Sequence, residues 1–493
     1  MTLDNIRCIA ILIPSVLKGV KRMSNIFGLV RCNYDSKGTG AICSLALGYL
    51  SSYLKAHGHK TLIIDALRDK LSHAKILDIL KKNSIKAVGL TCLSFYYNDV
   101  IALSKYLKGN GIKVIIGGMH PTFLPYQTLV DSDADYVCCG EGELPLLELV
   151  NNNISNKLSY GKTIKGIYSL DELSNETTPF EKADIVENLD ELPFPDWEQL
   201  EPASKKYSVH SGDAKMYPAV GIFTTRGCPF PCKFCAAPNF YNRKLRTRSP
   251  ENVIQEIKLL TEKFGIKEIQ FLDDNITHRR EHIEAICKSI ASQNIKIACC
   301  TPNGIRADRI DDGIVKLMKK AGWYMTGLGI ESANETILKN IRKSETLDEI
   351  KNAILILQKN RIDVTGFFIL GLPGDTRETI QETIDFAFSS KMEKAGFNIF
   401  NVIPGSDYWD ELSGSFQPDF ARSDTFNPIW TPEGLTAEEL KSIQANAIRK
   451  FYIRILPFIN RLRKLTFNNL YKNLMLKFQA LFFTMFSETR KRR

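Results

Sequence analysis

The chain of 493 residues is 44% hydrophobic and 24% charged, the composition of an ordinary folded protein long enough for two or three domains. Its twelve cysteines form no even framework of short spacings, which excludes a disulfide-stapled secreted scaffold and fits a reducing, cytoplasmic setting where thiols serve metals or packing. The net charge of +10 belongs to one end: residues 449–493 hold twelve Lys or Arg and a single acid, Glu488, while the remainder is close to neutral.

The N-terminal stretch MTLDNIRCIAILIPSVLKGVKR has Asp4 ahead of its apolar run and Pro14 within it, unlike a secretory signal. The apolar runs IRCIAILI, KTLIID, AVGLTCL, KVIIGG and ADYVCCG are each of strand length. Between them SLALGYLSSYLKAHG, SHAKILDILKKN, YNDVIALSKYLKGNG and LPYQTLVDS have helical spacing. Strict alternation predicts an α/β unit over residues 1–150, a doubly wound parallel sheet with helices on both faces. Residues 151–217 turn polar and contain several prolines, and read as a linker with a small hairpin.

A second alternating series opens at AVGIFTTRG and runs through IKEIQFLDDN, IKIACCTPNG, YMTGLGIES and DVTGFFILGLPG to KAGFNIFNVIPG, each followed by a helical stretch. Six such units over residues 218–414 predict a complete or partial (α/β) barrel. Residues 415–493 read as helical and basic. Two readings of this tail stand side by side: a basic amphipathic helix giving peripheral contact with a membrane surface, or helices packed on the barrel with only RKRR free. Its longest charge-free part near the end, Phe478–Ser487, is too short to span a bilayer. No RNA-binding module is visible, so no nucleic acid partner is expected.

The chemistry concentrates in TTRGCPFPCKFCAAP, which sets Cys228, Cys232 and Cys235 in a C-x3-C-x2-C array. A structural zinc closes with four ligands, and the nearest histidines in sequence, His210 and His278, lie far outside the array. Three thiolates on a tight loop can instead hold three irons of a [4Fe-4S] cube, with the fourth iron open to a ligand that is not protein. The array follows the first strand of the second series, at the end where barrel active sites are built, with Gly227 permitting close backbone approach and Pro229 and Pro231 stiffening the loop. Zinc, or thiols that merely pack, are the competing readings. The other nine cysteines sit mostly in apolar runs and read as core.

This motif resembles the signature of radical S-adenosylmethionine (radical SAM) enzymes. The resemblance implies that the open iron chelates the amino and carboxylate groups of SAM and that an electron from the cluster cleaves its sulfonium bond to give a 5′-deoxyadenosyl radical. It makes Phe234 the aromatic residue ahead of the third cysteine. It also points to Asp273 and Asp274 in FLDDNIT, Arg306 in NGIRAD, Glu331 and Ser332 in GIES, and Gly371, Pro373 and Gly374 in LGLPGDT as SAM-binding positions. Carboxylates can accept ribose hydroxyls, arginine can bind a carboxylate, and glycine lets backbone reach a nucleoside. Taken singly, each is as well explained as a turn or a surface charge.

The first domain lacks a dinucleotide fingerprint, since GTGAIC has Cys43 where the third glycine belongs. It resembles the cobalamin-binding module that precedes the barrel in a large radical SAM class, in LALGYLSSYLKAHGHKTLIID, AVGLTCLS, VIIGGMHPT and YVCCGEGE. By that resemblance the loops Thr91 to Ser94, Gly117 and Gly118 to His120, and Gly140, Glu141 and Gly142 to Glu143 cradle the corrin ring and nucleotide tail. A flavodoxin-like fold with a repurposed crevice is the alternative. The D-x-H-x-x-G motif of cobalamin mutases is absent, the first histidine being His57, so that motif supplies no axial histidine for cobalt.

The family likeness implies an enzyme with a [4Fe-4S] cluster, SAM and cobalamin that methylates an unactivated carbon. A cobalamin-associated cyclase or rearrangement enzyme is a variant of the same chemistry, and a non-catalytic metal-binding or sensor protein is the reading of another class. The implied partners are a small-molecule substrate, lipid-like or a natural-product intermediate, and an electron donor such as flavodoxin or ferredoxin. No general acid or base is named by the sequence.

Overall fold

Short runs of Val, Ile and Leu bounded by polar turns become the strands of two parallel sheets. The computed structural model describes residues 26–34, 40–152, 163–210, 212–420 and 426–453. The strand expected at IRCIAILI and the tail beyond residue 453 lie outside the described residues.

The first sheet contains β1 (Ile26–Arg31), β2 (Lys60–Asp65), β3 (Ala87–Thr91), β4 (Lys113–Gly117), β5 (Tyr136–Cys138) and β6 (Ile167–Tyr168) in the order β2-β1-β3-β4-β5-β6. All pairs are parallel except β5 with β6. The reversal of strand order between β1 and β3 is the switch point at which such sheets bind ligands. β1, IFGLVR, pairs with both β2 and β3 and was not expected. The longer apolar run upstream carries the stronger hydrophobic pattern and masks it.

The second sheet is wholly parallel, in the order β14-β13-β12-β11-β10-β7, and forms an arc of six strands rather than the eight of a full barrel. Its strands are β7 (Ala219–Ile222), β10 (Glu268–Phe271), β11 (Ala298–Ile305), β12 (Trp323–Glu331), β13 (Asp363–Leu370) and β14 (Lys394–Ile399). A two-stranded hairpin, β8 (Thr225–Arg226) with β9 (Arg246–Thr247), leads out of β7 and brackets the cysteine loop. On β13, Val364, Phe368 and Leu370 are buried under helices, whereas Thr365, Phe367 and Ile369 are half-buried on the concave face.

The helices begin where the side chains can cap them. The Ser249 hydroxyl accepts from Asn252 N–H, Pro250 fills the first turn, and Gly265 ends the helix Pro250–Phe264 in the left-handed conformation. Thr346 and Glu349 form a reciprocal capping box for Leu347–Lys359.

The segment expected as a linker with a hairpin is instead packed between the two sheets. It contributes β6 as an edge strand, and no hairpin of its own is present among its described residues. Trp197 and Leu200 enter a core shared by Leu54 of the first domain and Ile257 of the second, and Trp197 Nε1 donates to Glu256 Oε1 at 3.0 Å. The end of this segment closes the amino end of the barrel: Met216 N–H donates to Glu268 Oε2, and Tyr324 Oη donates to Glu268 Oε1. The helix Ala437–Ile453 then covers β14, where Gln444 Nε2 and Tyr452 Oη donate to the carbonyls of Phe397 and Ala395 and so occupy part of an otherwise open sheet edge. Among the described residues no helix is long and apolar enough to cross a membrane.

Candidate cofactor-binding site

Cys228, Cys232 and Cys235 lie on the loop after β8, at the carboxyl end of the barrel strands. Gly227 starts this loop at φ +95°, with its Cα so close to the Lys244 carbonyl that an added Cβ would lie 2.1 Å from that oxygen. The loop is fixed along its length. Lys233 N–H donates to Ile341 O at 3.0 Å, Tyr408 N–H donates to Lys233 O at 3.1 Å, and Cys235 N–H donates to Cys232 O at 3.1 Å. Phe234 packs its ring against the core.

The three thiols are half-buried and close together: Cys228 raises the pKa of Cys232, and both raise that of Cys235. Burial pushes Cys232 up to about 11 and Cys235 up to about 12, and raises Cys228 as well. The charges of Lys343 and Arg306 oppose that rise at Cys232, and the Asn275 amide favours the thiolate of Cys228. This is an environment that accepts negative sulfur when a positive centre is present. Among the described residues no group of three or more His, Cys, Asp or Glu is laid out around a single ion. A cube asks for something else, one thiol at each of three corners, and the three-thiol loop with two cations beside it fits that donor set.

Arg306 is committed to the protein. Its guanidinium donates to Asp308 Oδ1 and to the carbonyls of Lys343 and Ser344, at 2.8 to 3.0 Å. Lys343, which sequence reading missed, is a buried ammonium 3.2 Å from Glu331 and 3.3 Å from Glu345. Glu331 ends β12 with φ +65°, a left-handed conformation that a β-carbon disfavours, beside a register shift in the strand pairing. Its carboxyl is raised by burial and lowered by Lys343. Gly329 leaves the room for this pair, since a Cβ there would meet Glu331 Oε1 at 2.6 Å.

The two aspartates of FLDDNIT part company. Asp273 Oδ1 accepts from the backbone and hydroxyl groups of Thr224 and Thr225, while Oδ2 is buried with no partner. Asp274 keeps an exposed side chain just after β10, and desolvation with the Asp273 charge pushes it up to about 6. Ser332 is turned into a cap, bonding Thr383 Oγ1 and Asn334 N–H. The turn of LGLPGDT is held by Asp375, whose Oδ2 accepts from Gly371 and Leu372 N–H, and Pro373 sits half-buried at its tip. His278 is brought beside the cysteine loop, its ring 5.4 Å from that of Phe230, in the field of Arg309, Arg279 and Arg306.

At the carboxyl edge of the first sheet, the expected loops do converge. Thr91 and Gly117 are register partners, and Ser94 Oγ bonds His120 Nδ1 at 2.9 Å. His120 is buried between Tyr97 and Phe420, its pKa pushed down to about 3 by burial, and its Nε2 has no partner. Thr122 Oγ1 donates to Gly118 O at 2.7 Å and accepts Gly140 N–H at 2.9 Å, which ties two of the loops together. An unsatisfied imidazole nitrogen beside two glycine-lined strand ends fits a large ligand with polar edges. Glu141 is occupied otherwise: Arg226 Nη1 donates to its Oε2 at 2.6 Å, and Arg246 meets its Oε1. Gly142 precedes the helix Glu143–Asn151.

Residues 222–387 match the Radical SAM superfamily, and residues 37–150 match the B12 binding domain. An uncharacterized methyltransferase of Pyrococcus horikoshii is 31% identical over 417 residues, covering 83% of this chain and 88% of that protein. The anaerobic magnesium-protoporphyrin IX monomethyl ester cyclase of Rubrivivax gelatinosus is 28% identical over 416 residues, covering 83% of this chain and 73% of the cyclase. Among solved structures, the radical S-adenosylmethionine methyltransferase TsrM of Kitasatospora setae, with cobalamin and a [4Fe-4S] cluster bound, has the same fold. Its TM-score is 0.67 at 16% identity, over 87% of this chain and 89% of that one.

Proposed function

Because this chain belongs to the radical SAM superfamily, in the branch that joins a B12 binding domain to the barrel, we propose that it is a cobalamin-dependent radical SAM methyltransferase acting on an unactivated carbon of a small molecule. The observation that carries the reading is the three-thiol loop at the carboxyl end of the barrel, facing cations on one side and joined through Arg226 to the carboxyl-edge loops of the first sheet. When bound, the [4Fe-4S] cluster supplies the electron that cleaves SAM, and cobalamin supplies a methyl carrier.

The chain's part is to hold and orient. Cys228, Cys232 and Cys235 would ligate three irons, with Lys343 and Arg306 offsetting the negative charge that results. Asp274, exposed just after β10, and Asp273, through its unpartnered Oδ2, would be the carboxylates that meet SAM hydroxyls. Gly371 and Pro373, on the turn held by Asp375, would lie along the nucleoside. The loops at Thr91, Gly117 and Gly140 would receive cobalamin, with Ser94 fixing the ring of His120, whose Nε2 is unpartnered. On the concave barrel face, the apolar Phe367 and Ile369 stand beside the polar Thr365 and Asn398, a mixed wall that suits a natural-product intermediate or a lipid-like substrate with a polar group. Flavodoxin or ferredoxin would deliver electrons.

The cyclase relatives favour a second reading in which the same radical ends in ring closure. Product mass separates them, since methylation adds one methylene unit and oxidative cyclisation removes hydrogens. The whole reading is tested on anaerobically purified protein. About four irons per chain, lost in Cys232→Ala, an electron resonance signal altered by SAM, and deoxyadenosine formation are expected. Stoichiometric zinc with a SAM-insensitive spectrum would mark a non-catalytic metal protein instead.

A further inference from the structure

Pairing of β8 with β9 sets Arg226 directly opposite Arg246, two like charges in register on a two-residue hairpin. Facing cations of this kind repel. The counter-charges come from the first domain. Glu141 accepts from both arginines, and Arg226 Nη2 lies 2.8 Å from Glu143 Oε1. None of the four side chains is more than 12% exposed. Tyr49, from the first helix of the first domain, lies under the guanidinium with its ring centre 5.0 Å away.

The contacts continue on both sides. On one side Arg226 is followed by Gly227 and Cys228, so any movement of its backbone moves the first thiol. On the other, Glu141 follows Gly140, whose N–H is held by Thr122 Oγ1, which in turn donates to Gly118 O, two residues before His120. A buried ion cluster adds little net stability over an apolar one, but its forked bonds tolerate little displacement. Two separate carboxylates on two nitrogens of one guanidinium define a position and an orientation together.

We propose that Arg226 with Glu141 and Glu143 is a positioning latch, one that fixes the cysteine loop relative to the carboxyl-edge loops of the first sheet and so sets the separation of the two cofactor sites. This rests on the assignment of those sites given above. The latch residues touch neither the reacting carbon nor the cluster; they act through the loops they join.

The test uses full-length protein reconstituted anaerobically with iron, sulfide and hydroxocobalamin, then reduced with dithionite so that cluster and cobalt are both paramagnetic. The readout is the enhancement of cobalt spin relaxation by the cluster, which falls steeply with their separation. Glu141→Gln and Arg226→Lys are expected to keep iron and cobalt within about twofold of wild type while the relaxation rate changes at least twofold or becomes distributed. An unchanged rate with both signals present overturns the latch. Arg248→Lys, which loosens a buried pair with Glu256 outside the latch, serves as a stability control. If it shifts relaxation as far as the latch variants do, the effect is general loosening and the inference fails. Should Glu141→Gln not fold, Glu143→Gln removes one arm and is read the same way. Wild-type protein lacking either signal overturns the proposed function, and the latch with it.

Discussion

The guanidinium carbon of Arg306 lies 3.6 Å from the ring centre of Phe230, inside the cysteine loop between Cys228 and Cys232. The same guanidinium holds the carbonyls of Lys343 and Ser344, so one side chain staples the loop after helix Glu335–Asn340 to the cysteine loop. An arginine so occupied organises the site in preference to offering a free fork to a ligand.

Arg306→Lys keeps the charge but loses the plane and the second arm. With a desolvated cation–π contact and hydrogen bonds to carbonyls at stake, the expected cost is about 2 kcal/mol. Calorimetry and iron analysis after reconstitution check it: a lower Tm together with reduced iron retention is expected. A variant with wild-type Tm and iron but weakened SAM binding would return Arg306 to the role of a carboxylate receptor.

Asp273 is the second organiser, with four donors on one oxygen. Asp273→Asn keeps an oxygen for those four donors but takes the charge out of the bonds and leaves a buried NH2 without an acceptor at the Oδ2 position, a loss of about 3 kcal/mol. Urea unfolding should show a lower midpoint with an unchanged slope. If the free Oδ2 also meets SAM, binding of SAM at low denaturant will weaken beyond what the stability change explains, as measured by equilibrium titration.

Much of this was legible in the sequence where one physical pattern dominates. KTLIID, KVIIGG and DVTGFFIL became strands because apolar runs of that length with turn residues at both ends have few alternatives. The three thiols could be placed because their spacing and position after a strand are local properties. What stayed hidden was partnership. Lys343 sits in IRKSET among other charges, and only the fold buries it against Glu331. Arg226 stood in the quoted motif, yet its carboxylates lie some 85 residues upstream. Trp197 and Leu200 read as linker because their polar neighbours conceal two side chains that enter the shared core.

Two buried histidines give a pH dependence whose sign is fixed. Burial and the charges of Arg248 and Arg279 hold His282 at about 4, and burial holds His120 at about 3. Below the ordinary value near 6.5 the unfolded chain binds protons that the folded chain refuses, so each group destabilises the fold as pH falls through the window from about 6.5 to its own folded value. Asp375, pushed up to about 6, acts in the opposite sense between its ordinary value and 6, so the total slope is not diagnostic. The difference between wild type and His282→Gln is. That difference should move in favour of the variant by about 1 kcal/mol between pH 6 and pH 5, followed by urea midpoints. No change in the difference would mean that His282 is protonated in the folded state.

Two glycines of the first domain should respond to alanine with opposite signs. Gly118 has φ +120°, and a Cβ there would lie 2.4 Å from the Cys92 carbonyl oxygen and 3.1 Å from its nitrogen. Both atoms are backbone, fixed because Cys92 N–H donates to Gly117 O at 2.8 Å, so neither can yield as a side chain would. The Gly118→Ala chain must break that link or distort the strand ends of β3 and β4, and a cost of about 3 kcal/mol or more follows. Because Gly118 O is also the acceptor for Thr122, the distortion reaches His120 and Gly140, and cobalamin retention should fall while barrel iron is kept. Gly109, at the end of the helix Tyr97–Gly109, has nothing within 4 Å of where its Cβ would stand. Alanine there removes backbone freedom from the unfolded chain without a clash, and should stabilise by up to about 1 kcal/mol. Paired thermal melts with cobalt and iron analysis read both signs at once, and a Gly118→Ala protein that melts at the wild-type temperature would show that the approach of β4 to Cys92 is looser than the backbone geometry requires.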